Sequence, residues 1–238
     1  MTIFKQYKLF FTYKFVKMPF DVRFKTPFNC MVIGPSSSGK TTWVRNFLKF
    51  RDHLMTSPPK KVILFYNMEQ LIYNQMKDEG LINEMYDCKQ RFPVLEDVQA
   101  MVSPYKNVGG SLVIFDDMLT NLNSDFERLF LNLSHHENAS CILLSQNMFY
   151  KDKVYRTMSL NTHYMVLMKN GRDVSQCTIL AKQFCPTNVS YFIQAFLKAT
   201  RNPYSYLILD FRSDTPPTIK LRYSIFPHEF PMKVALEN

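Results

Sequence analysis

One octapeptide constrains this chain more than any other feature. Gly34-Pro35-Ser36-Ser37-Ser38-Gly39-Lys40-Thr41 fits the spacing G-x-x-x-x-G-K-[ST] at every fixed position, and it holds two of the six glycines in the chain. An apolar run of strand length, Phe28 to Ile33, precedes it. Lys40 to Phe50 follows, with Trp43, Phe47 and Phe50 at helical spacing. A strand, a glycine-bearing turn and a helix in that order wrap backbone N–H groups around an anion, and glycine permits the wrap. The helix N-terminus adds partial positive charge. Gly34, Pro35, Ser36, Ser37, Ser38, Gly39, Lys40, Thr41 and Thr42 are therefore the candidate cradle for nucleotide phosphates. Lys40 would carry its ammonium to the β- and γ-phosphates, and the Thr41 hydroxyl would ligate Mg2+.

The rest of the chain repeats the pattern of buried strand and amphipathic helix. Strands are predicted at Val62 to Tyr66, Leu112 to Phe115, Cys141 to Leu144, Tyr164 to Met168 and Tyr206 to Leu209. Helices are predicted at Glu69 to Glu79, Leu95 to Met101, Ser124 to Leu133 with Ser124 as N-cap, Val174 to Phe184 and Val189 to Ala199. Continuously apolar strands alternating with helices predict an α/β fold: a mainly parallel sheet with helices on both faces. Ligands of such sheets sit beyond the carboxyl ends of the strands. Polar residues after the first, third and fourth strands should then converge on one edge. The expected division is a basic-aromatic N-terminal extension over 1–23, one P-loop ATPase domain over 24–227 and a C-terminal tail over 228–238.

Two further groups point to that edge. Leu112-Val113-Ile114-Phe115 ends in Asp116-Asp117. Asp116 can hold Mg2+, and Asp117 can act as base toward an attacking water, which favours hydrolysis over mere binding. Gln146 ends the fourth strand, where an amide can sense the γ-phosphate or orient water. Each has an ordinary structural alternative, a turn for the acids and a strand-end hydrogen bond for the glutamine.

Composition narrows the partners. Lys plus Arg number 29 against 20 Asp plus Glu, a formal charge of +9, which suits a polyanion such as nucleic acid or an anionic membrane surface. The basic balance survives removal of Lys5, Lys8, Lys14 and Lys17, which lie among six aromatics before Met18. That segment reads either as a basic-aromatic arm or as an extension or edge strand. It lacks the pattern of a signal peptide, and no apolar run approaches the ~18 residues of a membrane span. Five scattered cysteines without a C-x-x-C pair read as reduced thiols in an intracellular, not secreted, protein. The five histidines show no ligand spacing with cysteine. Lys151-Asp152-Lys153 and Lys220-Leu221-Arg222 are candidate DNA contacts or merely solvated charges.

The P-loop, the Asp-Asp strand, Ser134-His135-His136-Glu137-Asn138-Ala139-Ser140 and Gln146-Asn147-Met148-Phe149 together resemble the genome-packaging ATPases of the FtsK/HerA superfamily. The resemblance is strongest to the version in Polinton/Maverick elements and adintovirus-like viruses, and more distant to the poxvirus packaging ATPase. Ser159 to Tyr164, Asn170 to Asp173, Leu180 to Gln183 and Pro203 to Leu207 extend it, so that it spans about Phe24 to Pro227. Gly171 stands where the family carries a proline. The resemblance implies an additional-strand (ASCE) P-loop fold, with the Gln146 strand between the P-loop strand and the Asp-Asp strand. It implies a homo-oligomeric ring around double-stranded DNA, driven by ATP and Mg2+, located in the host nucleus or cytoplasm or in the virion, with capsid proteins as further partners. It also implies an arginine supplied by the neighbouring subunit; by analogy Arg156 takes that role, with Arg172 as rival. His135-His136 near a helix end reads either as a favourable charge at the helix C-terminus or as a subunit or DNA contact.

Two other functions stay open. A nucleoside or nucleotide kinase has similar size and a near-identical P-loop, but no Arg-dense lid segment stands out. A nucleotide-bound assembly protein without turnover would not need Lys40, Thr41, Asp116 and Asp117 intact.

Overall fold

The computed structural model describes residues 4–7, 20–118, 122–170, 174–229 and 232–235. Its elements in chain order are β1 (Phe4–Tyr7), β2 (Asn29–Ile33), α1 (Lys40–Lys49), α2 (Arg51–Leu54), β3 (Lys61–Tyr66), α3 (Leu71–Asp78), β4 (Glu84–Asp87), α4 (Leu95–Val102), β5 (Ser111–Asp116) and α5 (Ser124–His136). They continue as β6 (Ala139–Ser145), α6 (Lys153–Leu160), β7 (Tyr164–Met168), α7 (Val174–Phe184), α8 (Val189–Ala199), β8 (Tyr206–Asp210), β9 (Leu221–Tyr223) and β10 (Met232–Ala235). One sheet takes all ten strands in the order β1-β10-β9-β8-β7-β2-β6-β5-β3-β4. From β7 through β4 every neighbouring pair is parallel. From β7 out to β1 every pair is antiparallel. The strand ending at Gln146 thus lies between the P-loop strand and the Asp116 strand, as the additional-strand fold requires.

Period-2 alternation assigns each strand residue to one of two cores. Met31 and Ile33 of β2 join one cluster with Val113, Phe115, Cys141, Leu143, Met165 and Leu167. Helices α4, α5, α6, α7 and α8 cover that face, through residues such as Val98, Phe130, Met158, Leu180 and Phe192. Cys30 and Val32 face the opposite cluster with Leu112, Ile114, Ile142, Leu144 and Val166, covered by α1 and α3. On α1 the apolar positions Trp43, Val44, Phe47 and Leu48 fall on one side and are buried, with Trp43 and Phe47 stacked at 5.1 Å. Full burial of each such side chain contributes roughly 1.5–3 kcal/mol. Both faces being covered explains why the central strands read as continuous apolar runs.

Some local expectations change. The N-cap of α5 is Asn123 and not Ser124: Asn123 has extended backbone, and its side chain accepts from the Phe126 N–H at 2.9 Å. Helix α5 also runs on to His136, so both histidines sit exposed in its last turn. Helices α2 and α6 and strands β4, β9 and β10 lie outside the expected elements, whereas β1 takes the edge-strand reading of the segment before Met18. Strand β4 is a four-residue edge strand with little full burial, and α6 buries only Tyr155 and Met158, so neither prints a strong apolar period. The segments 1–23 and 228–238 contribute β1 and β10 to the sheet. The Lys220-Leu221-Arg222 charge run is no DNA contact at Arg222. That residue is 1% exposed on β9, where Nη2 donates to Asp210 Oδ2 at 3.0 Å and Nη1 to the Val22 carbonyl at 3.0 Å. Lys151 and Lys153 stay exposed, and Asp152 caps α6 by accepting from the Tyr155 N–H at 3.0 Å.

Cys30, Cys88, Cys141 and Cys177 are buried and Cys185 is half-buried, and none of the five forms a disulfide. No helix among the described residues is long and apolar enough to cross a membrane.

Candidate functional site

The carboxyl ends of β2, β3, β5 and β6 open onto a cleft of about 580 Å3. Its lining includes Ser36, Ser37, Gly39, Lys40, Thr41 and Thr42 from the loop, Asp116 and Asp117 from the end of β5, and Gln146 from the end of β6.

The loop backbone explains its glycines. Gly34 leaves β2 with its N–H donating to the Ser145 carbonyl at 3.0 Å, and a Cβ there would lie 2.6 Å from Met168 Cβ and 2.6 Å from Ser38 Oγ. Gly39 has φ 95°, in the left-handed region that glycine adopts without steric cost. Ser37 takes φ 61° between them, and the Ser38 N–H donates to the Pro35 carbonyl at 3.2 Å. Ser38 Oγ is buried without a hydrogen-bond partner in the loop interior. Lys40 begins α1, and its ammonium donates to the carbonyls of Gly34 at 2.7 Å and Pro35 at 2.9 Å. Burial lowers the Lys40 pKa, and the charges of Asp116 and Asp117 oppose that shift.

A second network gathers on Asp116, which is 5% exposed. Thr41 Oγ1 donates to Asp116 Oδ2 at 3.2 Å, with Gln70 Oε1 as a second acceptor at 3.4 Å. The Tyr73 hydroxyl donates to the same Oδ2 at 2.7 Å. Gln70 Nε2 reaches Tyr73 Oη at 2.9 Å and Asp116 Oδ2 at 3.5 Å. Burial raises the Asp116 pKa above the ordinary carboxylate value; hydrogen bonds from Tyr73 and Thr41 and the charge of Lys40 pull it back, and Asp117 pushes it further up. Burial and the adjacent Asp116 carboxylate push the Tyr73 phenol far up, so it remains a donor. Asp117 is half-buried with φ 59°, a left-handed conformation that aspartate tolerates better than most residues. Gln146 is exposed on the cleft wall, and the Ser36 hydroxyl donates to its Oε1 at 3.3 Å.

Residues from three separate strand ends are therefore brought together with the loop. Arg156 does not line the cleft of its own chain; it lies exposed on α6. Arg172 lies outside the described residues. Gln70, Leu71 and Tyr204 of the lining were not anticipated, nor was Tyr73, which reaches Asp116 from the buried side. Gln70 and Tyr73 belong to the segment after β3, a strand parallel to β5 with Tyr66 in register with Asp116. Its carboxyl end had to reach the same edge, which was the available signal. Gln70 also occupies the N-cap position of α3 without capping it, a role usually taken by Ser, Thr, Asp or Asn. Leu71 is 84% exposed beside it, and Tyr204 stands on the opposite rim.

The family described as "Poxvirus A32 protein" matches residues 16–183. The chain is similar in fold to the genome packaging NTPase B204 from Sulfolobus turreted icosahedral virus 2, solved in complex with sulfate. The two share 13% identity at a TM-score of 0.55, over 80% of this chain and 94% of that one. The complex of the same protein with AMPPCP gives 15% identity and a TM-score of 0.53, over 79% and 94% of the two chains. The DNA-packaging ATPase B204 from Sulfolobus turreted icosahedral virus gives 14% identity and a TM-score of 0.54, over 80% and 96%. No curated protein matches the chain.

Proposed function

The chain belongs to the poxvirus A32 protein family, and from that premise we propose that it is a Mg2+-dependent ATPase that translocates double-stranded DNA and packages a viral or virus-like genome into a capsid. One observation carries the reading. Lys40 and Thr41 at the N-terminus of α1 share a cleft with Asp116, Asp117 and Gln146, and Thr41 Oγ1 sits 3.2 Å from Asp116 Oδ2. The likeness to B204, solved with sulfate and with AMPPCP, supports an anion and a nucleotide at this edge.

Within that reading the loop from Gly34 to Thr42 binds the phosphates, and Lys40 leaves its two backbone carbonyls to meet the β- and γ-oxygens. The paired oxygens of Thr41 and Asp116 fit a hard divalent cation such as Mg2+. Magnesium bound there would offset charge on the phosphate oxygens. Asp117 holds the attacking water and accepts its proton. Gln146 contacts the γ-phosphate. Arg156 reaches the cleft of the adjacent subunit in a homo-oligomeric ring, with Arg172 as the rival for that role. The +9 charge suits contacts to DNA phosphates, which a motor needs if it is to move along any sequence. The location proposed is the host cell interior or the virion.

The deciding experiment measures ATP hydrolysis by the purified chain with and without long duplex DNA. Stimulation by DNA that declines steeply with salt supports the motor. ADP release that depends on an added nucleoside or nucleotide would replace the motor by a kinase, and nucleotide binding without turnover would replace it by an assembly protein.

A further inference from the structure

The rim of the cleft opposite the acids carries a residue that phosphate chemistry leaves unused. Tyr204 is 68% exposed and has φ 61°, left-handed backbone that is strained for a bulky side chain. The turn that presents it is pinned. Both the N–H and the hydroxyl of Ser205 donate to the Asn202 carbonyl, at 3.4 and 2.6 Å. The Lys169 N–H donates to the Ser205 carbonyl at 3.3 Å, and Lys169 Nζ to the Arg201 carbonyl at 2.8 Å. A large aromatic ring is thus held in solvent by a turn anchored to the end of β7.

Its placement gives the ring a partner. A Cβ on Gly39 would lie 3.1 Å from Tyr204 Cδ1, so the ring edge borders the last glycine of the loop. Sheet order sets the direction. Asp116 and Gln146 end β5 and β6 on one side of β2, whereas Tyr204 precedes β8 beyond β7 on the other. A nucleoside triphosphate is long. With its γ-phosphate end at Asp116 and Gln146, its nucleoside end leaves across Gly39 toward Tyr204.

We propose that Tyr204 is the stacking platform for the base of the bound nucleoside triphosphate. The inference rests on the nucleotide-site reading and deepens it. Stacking engages the flat face of a base and not its hydrogen-bonding edges. The platform therefore favours purines over pyrimidines without separating adenine from guanine.

Calorimetric titration of the full chain tests this with Mg2+-ATP, Mg2+-GTP, Mg2+-CTP and inorganic tripolyphosphate. The proteins compared are the parent, Tyr204→Phe and Tyr204→Asn; asparagine removes the ring yet tolerates left-handed backbone. The parent should bind ATP and GTP within about threefold of each other and CTP about tenfold more weakly. Tyr204→Asn should lose about tenfold for ATP, close the gap to CTP and bind tripolyphosphate as before, while Tyr204→Phe should match the parent. Unchanged ATP affinity in Tyr204→Asn, or an equal loss for ATP and tripolyphosphate, overturns the platform while the nucleotide site stands. A parent that binds neither ATP nor tripolyphosphate overturns both.

Discussion

The Tyr73 hydroxyl donates a 2.7 Å hydrogen bond to Asp116 Oδ2, the same oxygen that Thr41 Oγ1 reaches from the first turn of α1. Helix α3 thereby fixes the orientation of a carboxylate at the end of β5. Tyr73 is itself buried against Tyr66, with ring centroids 5.1 Å apart, so the donor has little freedom to move.

Tyr73→Phe keeps the ring and removes the donor. A hydrogen bond to a charged group is worth about 1.5–3 kcal/mol. The Mg2+ concentration for half-maximal ATPase activity should therefore rise about tenfold or more, with a cooperative melting transition retained. A metal titration of activity checks this; an unchanged half-point would remove Tyr73 from the site.

Burial of Asp116 makes stability and activity diverge. Its folded-state pKa is raised above 3.8, so the folded chain holds the proton more tightly than the unfolded chain does. Above that range the ionised carboxylate lowers stability, and the penalty fades as pH falls toward its ordinary value. Asp116→Asn should melt at a higher temperature than the parent at pH 8. The difference should shrink toward pH 4, and ATPase activity should be lost at every pH. Calorimetric melts across pH decide it; an equal or lower melting temperature at pH 8 contradicts the assignment.

Lys40→Ala should abolish nucleotide binding and hydrolysis, whereas Asp117→Asn should bind ATP and fail to turn it over. Arg156→Ala should be inactive alone. Mixed with Lys40→Ala subunits it should regain activity, because each then supplies what the other lacks. Normal hydrolysis by Asp117→Asn would remove it as the base, and a silent mixture would remove Arg156 from the shared site.

The Arg222–Asp210 pair is 1% and 2% exposed. Arg222→Met leaves a buried carboxylate unpaired and should cost about 3–5 kcal/mol in urea denaturation. Replacing both, as Arg222→Met with Asp210→Leu, should recover most of that loss. A double variant no more stable than Arg222→Met would show that the arginine contributes through its contacts with Phe24 and Tyr164, whose rings lie 5.9 and 6.0 Å away.

Apart from the edge strand β4, the parallel half of the sheet was legible because its strands are buried on both faces and print continuous apolar runs. The loop was legible because Gly34, Gly39 and Lys40 have few alternatives at that spacing. In the antiparallel half β8 was legible for the same reason, but β9 and β10 were not. Strand β9 is three residues long and includes Arg222, whose burial depends on Asp210, twelve positions away and on another strand. Gln70 and Tyr73 escaped for a similar reason. Their meaning lies in the register of β3 beside β5, which no local pattern contains.

The two carbonyls that already hold the Lys40 ammonium have a thermodynamic consequence. A phosphate that draws Lys40 away gains a strong ion contact, but the loop gives up two hydrogen bonds in the same step. Net affinity is the difference between the two sets, smaller than the ion contact alone would provide. When phosphate leaves, the carbonyls recapture the ammonium, and no cation is stranded in a half-buried loop. Binding by exchange favours moderate affinity and prompt release, as the repeated cycle of the proposed motor would require.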